Sequence, residues 1–273
     1  MSRNIQVITL CALIQAGNAE RIVSPRPLLS ASYRLEEVYG KVISYEEPVL
    51  VWRGELEGAL GRDESQKWGL YPKEQAFTMP LATEGQTDLS QVLDKVLNAF
   101  HEQTSSTRFQ ILKSAWGYHL VPRQAHDANG VLVPTTSLLD ASVTVAIQER
   151  TPEEHILALA DAIKHATGVA MDVSAIPGTR RGFDMVFRAT PARFEWGVLG
   201  VVGRNALIGL LQRSATTFSW RLNCQSSAQQ VDRLCVLNLE RLVVAATDQD
   251  GRQEKRVVDF DRCGNCPPLQ RAR

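Results

Sequence analysis

Two amphipathic stretches, each followed by a strand that opens with Ser/Thr and a Phe, constrain this chain more than any other feature. DLSQVLDKVLNAFHEQT carries Leu89, Val92, Leu93, Val96, Leu97 and Phe100 at the spacing of one helical face, with Asp88 placed to cap it. STRFQILKS follows at 106–114. About a hundred residues later VGRNALIGLLQRSA sets Val202, Ala206 and Leu210 beside Leu207 and Leu211, and TTFSWRLNC follows at 216–224. A helix with one apolar stripe cannot bury it alone, so each needs a sheet surface beside it. Strands are expected before these helices, in QAFTMPL and ARFEWGVLG, and again after the Phe-led strands, in YHLVPR and LCVLNLERL.

Two further helices have a different sequel. LLSASYRLEEVYG closes on Gly40 and runs into KVISYEEP. TPEEHILALADAIKHATG opens with a capping box, Thr151 with Glu154 around Pro152, closes on Gly168 and runs into VAMDVSAIP. The chain therefore reads helix–strand and then strand–helix–strand–strand, twice over. The expected class is α+β: two tandem small modules, each with two helices packed on short, mainly antiparallel or mixed sheets. The expected boundaries are a leader at 1–19, a first module at 20–126, a second at 127–247 after the Asp127–Gly130 turn, and a hairpin around Asp250-Gly251 with a Cys-containing tail at 248–273. GELEGALGRDESQKWGLYPKE and SAIPGTRRGFDM are expected to be irregular.

With 30 basic against 30 acidic residues the chain has no electrostatic footprint for nucleic acid or an anionic membrane, so no nucleic-acid partner is expected. No transmembrane segment is expected either, because the best apolar run is interrupted by Arg204 and Asn205. At the N-terminus Arg3, a short apolar run and the small residues around Gly17 and Ala19 form the three-part pattern of a secretory signal peptide. The expected location is periplasmic or secreted.

Cysteine usage agrees with export. Cys11 would leave with the leader, and Cys224, Cys235, Cys263 and Cys266 remain as disulfide candidates. Phe218, Trp220, Leu222 and Cys224 share one strand face by the period of two, as do Cys235, Leu237 and Leu239. If these strands form a hairpin, a Cys224–Cys235 bridge would stabilise by about 2–3 kcal/mol in the chain-entropy picture; two buried free thiols are the other reading. CGNC, Cys263 to Cys266, could be a redox pair, half a zinc site or a small terminal disulfide. No helix follows it to lower a thiol pKa, and no second ligand pair accompanies it.

The helix–Gly–strand units LEEVYGKVISYE and ADAIKHATGVAMDV resemble the repeated unit of the short N-terminal domain of secretins and TonB-dependent receptors. That resemblance implies two helices packed between small sheets. YGKVISYEEP, TTFSWRLNCQ and LVPTTSLLDASVTV further resemble segments of uncharacterised exported proteins of acidobacteria, which implies export and no known activity.

The remaining chemistry is sparse. His101, His119, His126, His155 and His165 are scattered, and EEHIL lacks the second His of a metalloprotease helix. Glu46 and Glu47 point to opposite sides of a strand and, like Asp259 and Asp261, are expected to be solvated. DANG and DQDG read as turns, Arg180-Arg181 as a surface loop, and Trp52, Trp116, Trp196 and Trp220 as core. No catalytic residues, metal or cofactor are expected. The expectation is a non-enzymatic exported protein that contacts an envelope protein or itself through open sheet edges or the groove between modules. A thiol-disulfide or metal-dependent enzyme using CGNC, and a small-ligand binder, are the alternatives.

Overall fold

The computed structural model describes residues 19–49, 52–58, 70–81, 88–174, 193–214, 217–226, 233–247 and 253–257. The leader run, Arg180-Arg181, the Asp250-Gly251 turn, Asp259, Asp261, Cys263 and Cys266 lie outside them.

The chain is α+β. Strand β1 (Ala19–Ser24) leads into helix α1 (Pro27–Tyr39) and strand β2 (Ile43–Glu46). Short strands β3 (Leu56–Gly58) and β4 (Leu70–Pro72) precede β5 (Gln75–Pro80), α2 (Leu89–Gln103), β6 (Arg108–Lys113), β7 (Tyr118–His126) and β8 (Leu132–Pro134). Then come β9 (Ser142–Arg150), α3 (Pro152–Thr167), β10 (Ala170–Ser174), β11 (Phe194–Val202), α4 (Gly203–Leu211), β12 (Phe218–Ser226), β13 (Arg233–Arg241), β14 (Val243–Thr247) and β15 (Gln253–Val257).

Helix ends follow the local chemistry. Asp88 accepts from the Ser90 N–H, and Thr151 and Glu154 form the reciprocal capping box. Both α1 and α3 start with Pro in the first turn and end on a left-handed glycine, Gly40 at φ 59° and Gly168 at φ 72°.

One order of connections occurs twice. β1 pairs antiparallel with β5, and β9 with β11, as separate two-stranded sheets. β2 runs parallel to β7, which is antiparallel to β6; β10 runs parallel to β13, which is antiparallel to β12. These two triplets join through a parallel β2–β12 contact into the sheet path β10-β13-β12-β2-β7-β6, with β3, β4 and β8 off that path. In each half the helix pair packs between its two-stranded sheet and its share of the central sheet. β14 and β15 form the expected terminal hairpin, and β14 packs against α1.

Two apolar clusters correspond to the halves. Ile43 and Tyr45 of β2 pack with Phe77, Phe100 and Phe109 in the first. Phe218, Trp220, Leu222 and Cys224 of β12 pack with α3 and α4 residues in the second. The alternate residues point the other way: Glu46 reaches Arg204 on α4, and Arg221 reaches Glu36 on α1. The two helix layers thus cover opposite faces of the central sheet.

Four strands differ from expectation. β1, the first strand of the first half, carries too little alternation to signal itself, and β9, the first of the second, was not expected although Val143, Val145 and Ile147 alternate; each completes a two-stranded sheet. The segment expected to be irregular between Gly54 and Glu74 contains the β3–β4 pair, whose β4 also meets β12 at Ser226.

Candidate functional site

Where the halves meet, the chain buries charge. Glu46 is fully buried and Glu47 nearly so, which overturns their expected solvation. Strand alternation does send them to opposite faces, but Glu46 is roofed by α4 of the other half, and Glu47 is enclosed by Arg26 of its own half and by β12. Arg204 holds Glu46 bidentately at 2.7 and 2.6 Å and bonds Asp140 at 2.7 Å, while Trp220 Nε1 donates to Glu46 Oε1 at 3.1 Å. Arg26 bonds both Glu47 oxygens, at 3.0 and 2.9 Å, and the Cys224 N–H donates to Glu47 at 2.8 Å. The third pair is Arg221 with Glu36. Arg221 is wholly buried, donates to the Ile43 and Trp220 carbonyls and lies over the Tyr33 ring at 4.5 Å.

Such pairs are held by mutual satisfaction, since an ion stripped of water needs both a counter-charge and its remaining hydrogen bonds. Burial works against the Arg204 charge, but Glu46 and Asp140 hold its pKa above the ordinary arginine value. Burial pushes the Glu36 and Glu47 carboxyls up, and Arg221 and Arg26 pull them partly back. His119 stacks on Trp220 with centroids 4.7 Å apart and meets the Ser114 hydroxyl at 2.7 Å. Burial, then the nearby Arg204, lowers its pKa to about 3, so it is neutral in the fold.

Three other histidines are likewise built in, whereas His165 is exposed on α3. His101 accepts from the Phe109 N–H at 2.9 Å, and burial followed by Arg108 lowers its pKa to about 4. His155 lies at 2.8 Å from the Phe194 carbonyl oxygen, and His126 at 2.9 Å from Glu55 with the Trp52 ring tilted against it. Of the tryptophans expected in the core, Trp116, Trp196 and Trp220 are buried and Trp52 is half-buried. Among the described residues no three His, Cys, Asp or Glu side chains gather to hold a metal ion, and no helix is long and apolar enough to cross a membrane.

Cys224 and Cys235 are directly opposite in the β12–β13 ladder and form a disulfide, buried on the apolar face. The junction network was missed because its members look ordinary: Arg204 interrupts an apolar helix, and Arg221 takes a polar turn in an alternating strand. An arginine within the most apolar helix of the chain was the available signal, since it demands a buried acid.

Room for a partner lies elsewhere. A cavity beside Glu47, lined by Arg26, Tyr45 and Glu55, holds about 30 Å³, enough for one water. The edge of β9 opens instead onto a groove of about 540 Å³ against α3. Beyond it the β9–β11 ladder is bulged twice: Ala146 and Ile147 oppose Gly197, and Leu199 and Gly200 oppose Thr144. Only glycine fits at 197, because a Cβ there would lie 2.6 Å from the Val145 oxygen and the Ile147 nitrogen. Ile147 is 69% exposed and Leu199 83%.

No protein-family model matches the sequence, and neither a curated protein nor a solved structure matches it.

Proposed function

We propose that this is a non-enzymatic exported protein of the cell envelope, built from two copies of one strand–helix module, that acts by binding another protein through the β9–β11 sheet. The observation that carries it is the open β9 edge, with its groove and the outward Ile147 and Leu199. Exposed strand edges and apolar side chains at one place mark an interaction surface. The repeated strand order supports the two-copy reading and the resemblance to the short secretin and receptor domain. The buried Cys224–Cys235 bridge supports an oxidising compartment. Full chain produced in an export-competent host, purified and cross-linked in envelope fractions, is expected to give one discrete adduct or a defined self-assembly. A protein that stays monomeric and captures nothing overturns this function.

A further inference from the structure

We propose that the groove between β9 and α3 receives an extended segment of a partner protein, which adds as a strand to residues 142–145. This rests on the interaction function above and names the partner's chemistry. Among the described residues β9 is paired on one side only, with β11. Its other side faces the groove, whose far wall is the alanine stripe Ala158, Ala162 and Ala166, one turn apart on α3, with Asp161 and His165 along it; Arg150 closes one end by donating to the Ala146 carbonyl at 3.0 Å. The groove runs along Ser142 to Ala146, so it admits an extended segment of about four residues. Over that length the extra residue of the bulge at Thr144 lies in β11, and β9 carries its own extra residue only at Ala146 and Ile147.

A second copy of the chain fits poorly. Edge-to-edge pairing of two β9 strands would set them about 4.8 Å apart. Each α3 flanks its own β9 edge as the wall of the groove, and two helices need about 8–10 Å between axes, so they would meet in the same space. A lone extended segment has no such helix.

The first half shows the closed counterpart. Counted back from the capping glycines Gly40 and Gly168, Asp161, Ala162 and His165 correspond to Tyr33, Arg34 and Glu37. There Arg34 pairs with Glu37 at 3.3 Å and with Glu20 of β1 at 3.6 Å, and strand β14 packs on α1. In the second half Ala162 stands in the place of Arg34 and cannot bridge to β9. The occupant is thus an extended peptide whose inward residues are small or β-branched, with a cation opposite Asp161. Main-chain hydrogen bonds would give affinity and the alanine wall would select side-chain size.

The test titrates the full chain with acetyl-Val-Thr-Val-Thr-Lys-amide, which puts both valines and the lysine on one face, and with the same peptide N-methylated at alternate amides. Amide exchange is read by NMR. Slowing of at least tenfold within 142–145 is expected with the first peptide, none with the second, and none in β1. Ala162→Trp, which fills the groove, should weaken binding at least tenfold with an unchanged melting temperature; if it does not fold, Ala158→Gln is the replacement. No slowing at millimolar peptide, slowing that survives either substitution, or slowing that follows protein concentration without peptide overturns the proposal. The peptide arm needs no natural partner. If Ala162→Trp still captures an envelope protein, the groove is wrong and the interaction function stands.

Discussion

The two halves share one strand order but are secured by different means. The first fills its core with rings, Tyr45, Phe77, Phe100 and Phe109, under a 15-residue α2. The second has a nine-residue α4, relies on Trp196 and Trp220, and ties β12 to β13 with a disulfide. The first half closes the groove side of α1 with an arginine–glutamate pair, whereas the second leaves α3 open. One connectivity thus tolerates two ways of reaching stability, provided the shared sheet joins them. That junction is where the halves depend on each other most.

The largest effect is therefore expected at the junction rather than inside either half. Arg204→Met leaves Glu46 buried and unpaired and should cost about 3–5 kcal/mol in urea unfolding. Adding Glu46→Gln, which removes the orphaned charge but keeps an acceptor for Trp220 Nε1, should restore part of that loss. Equal instability of the single and double variants would show that the pair is a surface-like contact and that the halves are independent.

Next comes the disulfide. Replacing Cys224 and Cys235 together by alanine should cost about 3 kcal/mol by loop closure. Exchange should quicken in β12, β13 and α4 and stay unchanged in α2 and β6. If both halves loosen together, they unfold as one unit.

Acid should act through the first half. The folded pKa of His119, about 3, lies below its ordinary value of 6.5. Its stabilisation is full above pH 6.5 and is lost as pH falls towards 3, because the unfolded chain binds the proton more tightly. Between pH 7 and 5 wild type should lose about 1–2 kcal/mol more than His119→Gln. Parallel pH profiles for the two proteins would rule this out.

The smallest contrast is between caps. The double change Thr151→Ala with Glu154→Ala breaks both bonds of a capping box and should cost about 1 kcal/mol, against about 0.5 kcal/mol for Asp88→Ala, where one bond is lost. Thermal melts of the two variants measure the difference.

What was legible in the sequence was whatever depends on local period and caps. Leu89 to Phe100, the Thr151–Glu154 box, the glycines at 40 and 168, and the shared face of Trp220 and Cys224 each follow from chemistry within a few residues. β9 alternates through Val143, Val145 and Ile147 yet was not among the expected strands, and the bulge that turns Ile147 outward leaves no mark in that pattern. Glu46 and Glu47 were misjudged for a related reason. The burial of Glu46 is decided by Arg204 and that of Glu47 by Arg26 and β12; Arg204 and β12 lie more than 150 residues away, and no local pattern encodes a cover supplied by the other half. The candidate groove combines both problems, since it needs β9 to exist and α3 to stand beside it.

The place of β2 has a consequence for biosynthesis. Tyr45 and Glu46 pair with Arg221 and Leu222, which emerge from the ribosome long after β7 has taken the other side of the strand. Until then the growing chain presents a bare strand edge, the kind of template that seeds aggregation. The two adjacent carboxylates at its end would act during that interval as gatekeepers, keeping the waiting edge hydrated and repelling its own kind. Charges that end up as the most deeply buried in the molecule would thus first serve it as solubilising ones.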